Sequence, residues 1–227
     1  MLHLIETEDG SHTLKDDELD ETYHSVHGAI QESNHIFIKN GIDCYIEKLK
    51  PKSIRILEVG FGTGLNALLT CLDPKSRHLP IKYDAVEAFP LSPELTDQLN
   101  YPDCLKMSEA REMLSEMHKA PWNEIMSLNK YFTLHKINRT IQSMVLEEDC
   151  YDIVYFDAFA PSKQPEIWEF KILSPVIRAI KWEGILVTYC ARGQFKRDLK
   201  TLGMEVKSLP GPPGKLEMVQ ATRHIFK

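Results

Sequence analysis

The chain of 227 residues has no apolar run approaching the roughly 20 residues that a membrane-crossing helix needs. Its first residues, MLHLIETEDGSH, are polar and soon acidic, so no signal or transit peptide is expected. A cytoplasmic protein with no membrane partner is expected. Cysteine is scarce and unpaired: Cys44, Cys71, Cys104, Cys150 and Cys190 are odd in number, scattered, and form no CxxC. That excludes a disulfide framework or structural zinc and implies reduced thiols. Basic charge is not in excess, since 27 Lys and Arg against 33 Asp and Glu leave a net charge of −6. A general nucleic-acid binder would need clustered cations to neutralise phosphates, although a local basic patch on an acidic body is compatible with this balance. His24 and His27 in YHSVHG have no third ligand nearby, so no metal site is expected. Internal repeats and low-complexity tracts are also missing.

What is present is a globular composition, 43% apolar and 26% charged. The length fits one α/β unit, with residues 1–52 as an N-terminal extension and 53–227 as the core. In the extension, Asp9-Gly10 between short alternating runs predicts a two-residue hairpin. GAIQESNHIFIKNGI predicts a helix ending near Gly41, and IDCYIEKL a second helical piece closed by Pro51. From Ser53 the pattern is strand, glycine loop, helix: SIRILEVG, FGTG, LNALLTCL. Further strands are IKYDAVEAF, YFTLHKI, YDIVYFDAF and GILVTYC. Helices are expected in Thr96–His118, in RTIQSMVLEE, in PEIWEFKILSPVIRAIKW with an interruption at Pro175, and in GQFKRDLKTLG. Alternating strands and helices imply a parallel sheet covered on both faces. MEVKSL and LEMVQATRHIF are joined by only PGPPGK, too short for a parallel crossover, so they must form an antiparallel hairpin at the sheet edge.

The most informative motif is Leu57-Glu58-Val59-Gly60-Phe61-Gly62-Thr63-Gly64. Glycines permit a sharp turn and close backbone approach to a ligand, and the following helix offers unpaired N–H groups. Two cofactor classes use such a loop. Gly62-Thr63-Gly64-Leu65-Asn66-Ala67 formally fits the dinucleotide pattern G-x-G-x-x-A. S-adenosylmethionine loops carry an acid just before the first glycine, where Glu58 stands and would help hold the methionine ammonium, directly or through water. Glu87 ends the next strand 23 residues after Gly64 and can accept both ribose hydroxyls of either cofactor. Glu58 therefore favours adenosylmethionine. Asn138, after the third strand, fits either an adenine reader or a helix N-cap.

The stretch FDAFAPSKQPEIWEF begins where an apolar strand ends. Ligands of open parallel sheets bind beyond the carboxyl ends of the strands, which would set Asp157 beside the reactive methyl. A carboxylate there suits an amine nucleophile, whose N–H groups it can accept and whose lone pair it can aim. Phe159 is placed to stack on a planar group, Pro161 and Pro165 stiffen the loop, and Lys163 could meet a phosphate. Trp168 fits a core position or a base platform. Lys196, Arg197 and Lys200 share one helix, with Lys215 in the terminal loop. Together with Lys163 they would form a phosphate-binding patch or merely a solvated face, and the acidic Asp16–Glu21 run should lie away from nucleic acid.

Taken together, LEVGFGTGLNALL, VEAFPLSPE, YFDAFAPSKQPEIW, GILVTYCARGQFKRDLKTLGMEV and GKLEM, with YHSVHGAIQESNHIFI near the N-terminus, resemble one family over nearly the whole chain. It is the methyltransferase domain of the bacterial bifunctional enzyme that completes 5-methylaminomethyl-2-thiouridine in tRNA, of which stand-alone versions exist. The resemblance implies a Rossmann-like class I fold and S-adenosylmethionine as cofactor. It further implies N-methylation of the aminomethyl group of 5-aminomethyl-2-thiouridine at the wobble position, with the tRNA anticodon region as partner. By matching positions, Gly60, Phe61, Gly62, Thr63, Gly64, Asn66, Glu87 and Ala88 would contact the cofactor. Asp157 would hold the amine, and Phe159 would face the modified base. The position matched to a family Asp is Asn138, which would alter adenine recognition in detail. No FAD-dependent oxidase sequence follows Lys227, so the preceding oxidative deprotection is not expected of this chain, and a monomer is. A small-molecule amine methyl- or aminopropyltransferase is the alternative, disfavoured because the DAFAP run lacks a second nearby acid. A non-catalytic RNA-binding domain would not need Glu58, the glycine loop and Asp157 intact.

Overall fold

The computed structural model describes residues 1–224. It begins with a small antiparallel sheet of β1 (Leu2–Glu6), β2 (His12–Asp16) and β3 (Glu21–Thr22). Asp9-Gly10 does join β1 to β2, but not as a two-residue turn, because Glu6 pairs with His12 and leaves residues 7–11 as the loop. Asp9 closes this longer loop by accepting the Thr7 hydroxyl and the Ser11 amide, both at 2.9 Å.

The predicted helix stop at Gly41 is absent. α1 (Ala29–Ser33) widens into a π-helical stretch, Asn34–Asp43, and continues as α2 (Cys44–Leu49). Gly41 lies where this helix presses on the main sheet, and a Cβ there would stand 3.2 Å from the Tyr155 ring. The glycine thus marks close packing rather than a helix end. Ile36, Phe37 and Ile42, all in the π-helical stretch, are buried with it, consistent with the wide helical turns found at specialised contacts.

The main sheet contains β4 (Ile54–Val59), β5 (Ile81–Glu87), β6 (Ile125–Ser127), β7 (Phe132–Asn138), β8 (Tyr151–Phe156), β9 (Ile180–Thr188), β10 (Met204–Pro210) and β11 (Glu217–Arg223). Their spatial order is β10-β11-β9-β8-β4-β5-β7-β6. The five strands from β9 to β7 are mutually parallel, β10 and β11 form the expected antiparallel hairpin, and β6 pairs antiparallel at the other edge. This is the Rossmann-like α/β arrangement. β11 ends at Arg223, and Ile225 and Phe226 of the predicted last strand lie outside the described residues.

Alternation along the strands builds two cores. Ile54, Ile56, Tyr83, Tyr155 and Ile185 face the Ala29–Leu49 helix, α3 (Leu65–Leu72) and α6 (Ala110–Lys119). Leu57, Val59, Val154, Phe156 and Leu186 face α7 (Phe170–Ala179) and α8 (Gly193–Thr201). Neighbouring residues of a strand point to opposite faces, so β4 feeds both layers. The short α4 (Pro93–Thr96) and α5 (Tyr101–Leu105) fill the crossover after β5.

Two helix predictions change. RTIQSMVLEE contains only one 3-10 turn, Ile141–Ser143, and its Val145 is 96% exposed, so no apolar stripe is buried to hold a helix there. In PEIWEFKILSPVIRAIKW the break falls at Glu169, between the 3-10 turn Pro165–Trp168 and α7, and α7 runs through Pro175. The carbonyl that Pro175 cannot satisfy belongs to the exposed Lys171. Among the described residues no helix is long and apolar enough to cross a membrane.

Candidate active site

The site forms where β4, β5 and β8 end side by side. Val59 of β4 is in register with Phe156 of β8, and the Asp157 amide continues the pairing by donating to the Val59 carbonyl at 2.9 Å. The chain then turns at Gly60, whose φ is 94°. A Cβ there would stand 2.5 Å from the Asp157 carbonyl oxygen, so only glycine lets the loop meet the end of β8. Gly62 donates its N–H to the Glu87 carboxylate at 3.0 Å, and Gly64 caps α3.

Asn66, in the first turn of α3, links two acids. Its Nδ2 donates to Glu58 Oε1 at 3.0 Å and to Asp157 Oδ2 at 2.8 Å. Asn66 Oδ1 and Glu58 Oε2 are buried without a hydrogen-bond partner. Glu58 is fully buried, on the same face of β4 as Ile54 and Ile56, and lies behind the cavity wall rather than on it. Burial holds its carboxyl well above the usual range.

A cavity of about 1100 Å³ opens over these strand ends. Its wall includes the glycine loop from Gly60 to Thr63, Asn66, Glu87, Ala88, Asp157 and Phe159. This exceeds the ~300–1,000 Å³ common for one small-molecule site, leaving room for a cofactor and an acceptor group together. Asp157 is partly buried, and loss of water pushes its carboxyl up to about 7, with the Glu32 charge adding to the rise and the Asn66 hydrogen bond and Lys215 charge opposing it. Glu87 is also raised by burial, while the Phe89 and Gly62 amides that it accepts oppose the rise.

The other predicted residues divide clearly. Phe61 turns its ring away, against His118 and Trp122, and only part of it reaches the wall. Thr63 accepts the Tyr101 hydroxyl at 3.0 Å, which buttresses the loop. Asn138 points its amide at the Glu87 and Ala88 carbonyls, at 3.0 and 3.3 Å, and is off the wall, where Thr140, Ile141 and Gln142 stand instead. It caps no helix: the 3-10 turn that follows, Ile141–Ser143, starts after Thr140. Trp168 is a core residue against Phe156 and Phe195, and its Nε1 donates to the Phe159 carbonyl at 2.9 Å. Pro161 and Lys163 lie past Phe159, off the wall. Lys196 is engaged by Glu217 at 2.9 Å, and Arg197 by Gln194 at 2.8 Å, both on α8 and outside the cavity. Of the predicted basic residues only Lys215 is on the wall, paired with Glu32 and 4.1 Å from the Tyr189 ring centroid.

The N-terminal extension forms the roof. Tyr23 meets Phe159 edge-on with ring centroids 5.0 Å apart and covers Gly62. Asp16, Glu18 and Glu21, from the acidic run expected to lie away from nucleic acid, line the cavity. Glu32 supplies the second acid missing from the DAFAP run; it accepts the Ser25 amide at 2.7 Å and is buried on the wall. His24 is buried against Thr13 and held neutral, down to about 4, by burial, while His27 pairs with Glu8 at 3.0 Å. Tyr23, Glu32 and Tyr189 were not legible as site residues. No local spacing reports that a terminal sheet folds over a loop some forty residues on, although the YHSVHG run, which begins with Tyr23, is part of the family resemblance.

Comparison with known proteins bears on this arrangement. The chain is 29% identical over 207 residues to the tRNA 5-methylaminomethyl-2-thiouridine biosynthesis bifunctional protein MnmC of Hydrogenovibrio crunogenus, covering 88% of this chain and 31% of that protein. It is 30% identical over 218 residues to the protein of the same name from Leptospira interrogans, covering 89% of this chain and 32% of the relative. The chain thus spans about a third of the length of these curated relatives. The crystal structure of MNMC2 from Aquifex aeolicus superposes with a TM-score of 0.79 at 28% identity, covering 100% of this chain and 71% of that one. A family model described as S-adenosyl-L-methionine-dependent methyltransferase matches residues 106–224, more than half of the sequence and the half that contains Asp157. On that match the chain belongs to the S-adenosyl-L-methionine-dependent methyltransferases.

Proposed function

We propose that this methyltransferase methylates a primary amine, the aminomethyl group of a 5-aminomethyl-2-thiouridine at the wobble position of tRNA, in the cytoplasm. One observation carries the amine assignment: a partly buried carboxylate, Asp157, whose proton affinity is raised to about 7 and which is oriented through one oxygen by Asn66. The relatives named for 5-methylaminomethyl-2-thiouridine biosynthesis support the uridine acceptor.

The residues present fit the cofactor of the family. Gly60 and Gly62 bring the loop backbone to the cavity wall, Asn66 Oδ1 is a buried acceptor without a partner, and Glu87 presents a carboxylate at the end of β5. We assign the glycine loop and Asn66 to the methionine arm and Glu87 to the ribose, with Ala88 and the Thr140–Gln142 turn beside the adenine. The cofactor supplies an activated sulfonium methyl for direct in-line displacement. Asp157 accepts N–H groups of the acceptor amine and aims its lone pair. With an affinity near the working pH it would take one proton from the incoming ammonium and so free the lone pair, whose attack on the methyl gives a secondary ammonium and releases the neutral thioether. Phe159 and Tyr23 offer rings for the base. The acids at the mouth attract the cationic amine and repel phosphate, so we place the tRNA backbone outside the cavity, with only the modified base entering.

The test is transfer of labelled methyl from S-adenosylmethionine to two acceptor pools, tRNA bearing the unmethylated aminomethyl uridine and a polyamine mixture. Label confined to the wobble nucleoside is expected. Label in the polyamines alone overturns the tRNA assignment in favour of a small-molecule amine, which the acidic mouth would also admit.

A further inference from the structure

Glu58 is the acid that the sequence pattern sets against the cofactor, yet its side chain is 0% exposed and lies beneath the loop. Its Oε1 accepts an N–H of the Asn66 amide, and the buried Tyr83 hydroxyl stands beside it. Burial with no cation against it favours the neutral form of a carboxyl, and in that form it resembles an amide. The two N–H bonds of Asn66 share one plane and diverge by a fixed angle, so fixing one fixes the other. One goes to Glu58 at 3.0 Å and the other to Asp157 at 2.8 Å.

We propose that Glu58 is a positioning residue: from under the glycine loop it holds the Asn66 amide so that its second N–H is delivered to Asp157, and it acts on the reaction through Asn66 without touching cofactor or acceptor. This rests on the assignment of Asp157 to the acceptor amine. Asn66 occupies Asp157 Oδ2 and leaves Oδ1 for the substrate N–H. Without Glu58 the Asn66 amide is free to turn, and Asp157 loses both its orientation and a hydrogen bond that favours its charged form. The other groups that face Asp157 stay in place: Glu32 from α1, Lys215 from the hairpin loop and Tyr189 after β9.

The experiment compares Glu58→Leu, which keeps the volume but not the acceptor, with Glu58→Gln, which presents an oxygen at the same place. Carbon-13 NMR titration of Asp157 in the cofactor-free protein, steady-state kinetics on tRNA, and calorimetric binding of S-adenosylmethionine are measured for each. Glu58→Leu is expected to raise the Asp157 pKa, lower kcat about 10- to 100-fold, as for a misplaced catalytic group, and change cofactor Kd less than threefold. Glu58→Gln is expected to rescue both titration and kcat to within about threefold of wild type, the difference from one restored hydrogen bond. If Glu58→Leu weakens cofactor binding tenfold or more while Asp157 titrates as before, Glu58 is a cofactor ligand and the proposal is overturned. It is equally overturned if Glu58→Leu matches wild type throughout. Should Glu58→Leu not fold, Asn66→Leu must show the same rise in the Asp157 pKa, and its absence is again decisive. Asp157→Ala separates the two assignments. Full turnover in that variant removes the role of Asp157 itself, whereas lost turnover beside an unaffected Glu58→Leu removes only this inference.

Discussion

Asp157→Asn should make the protein more stable while disabling it, and the gain should depend on pH. In the native state the Asp157 carboxyl is raised from 3.8 to about 7, chiefly because burial penalises its charge and Glu32 stands nearby. Between those values the native protein binds the proton more tightly than the unfolded chain does, so stability falls as pH rises across the window. Above pH 7 the whole penalty is present. Three units at about 1.4 kcal/mol each give an upper limit of about 4 kcal/mol, and partial solvent access brings the expectation to roughly 2–3 kcal/mol. Asparagine is neutral throughout and can still accept the Asn66 N–H through its own Oδ1. The variant should therefore exceed wild type by that amount at pH 8 and converge with it at pH 4 or below. In thermal unfolding of a chain this long the gap at pH 8 corresponds to roughly 4–12 °C in Tm. Calorimetry of both proteins at pH 4, 6 and 8 measures it. A variant less stable at pH 8, or a difference independent of pH, would refute the claim that Asp157 is held charged against its surroundings.

Other consequences follow from the same geometry. Glu32→Gln removes a neighbouring negative charge and should move the acid limb of the pH–rate profile to lower pH, while Lys215→Met removes the opposing cation and should move it higher; the two limbs read from kcat/KM against pH check the pair. Gly60→Ala places a Cβ 2.5 Å from the Asp157 carbonyl at a φ of 94°, and should cost about 1–3 kcal/mol in urea unfolding. Trp168→Phe keeps the ring in the core but loses the N–H donated to the Phe159 carbonyl. Stability should fall by about 1 kcal/mol, and KM for tRNA should rise more than kcat falls.

Local patterns carried much of this architecture. The strand, glycine loop and helix from Ile54 to Leu72 are contiguous, so period-two and glycine cues report them directly. Asp157 was legible because a polar residue closes an apolar strand, and the carboxyl ends of parallel strands face the ligand. The same alternation reveals the burial of Glu58, since it shares parity with Ile54 and Ile56, which face the Ala29–Leu49 helix and α3. The roof is a different matter. Tyr23 and Glu32 reach the cavity through contacts with Gly62 and Lys215 that lie far off in sequence. The RTIQSMVLEE segment misled because its composition tolerates a helix while nothing packs over Val145. Gly41 and Pro175 misled in the other direction: tertiary packing carries a helix through residues that end one in isolation.

The most direct test of the central claim is a paired measurement on Asp157→Ala: cofactor affinity by calorimetry, and single-turnover methyl transfer to tRNA bearing the unmethylated aminomethyl uridine. A carboxylate that holds the acceptor amine predicts affinity within a few fold of wild type and transfer slowed at least about a hundredfold, the range of a lost general base. Transfer at the wild-type rate would contradict it.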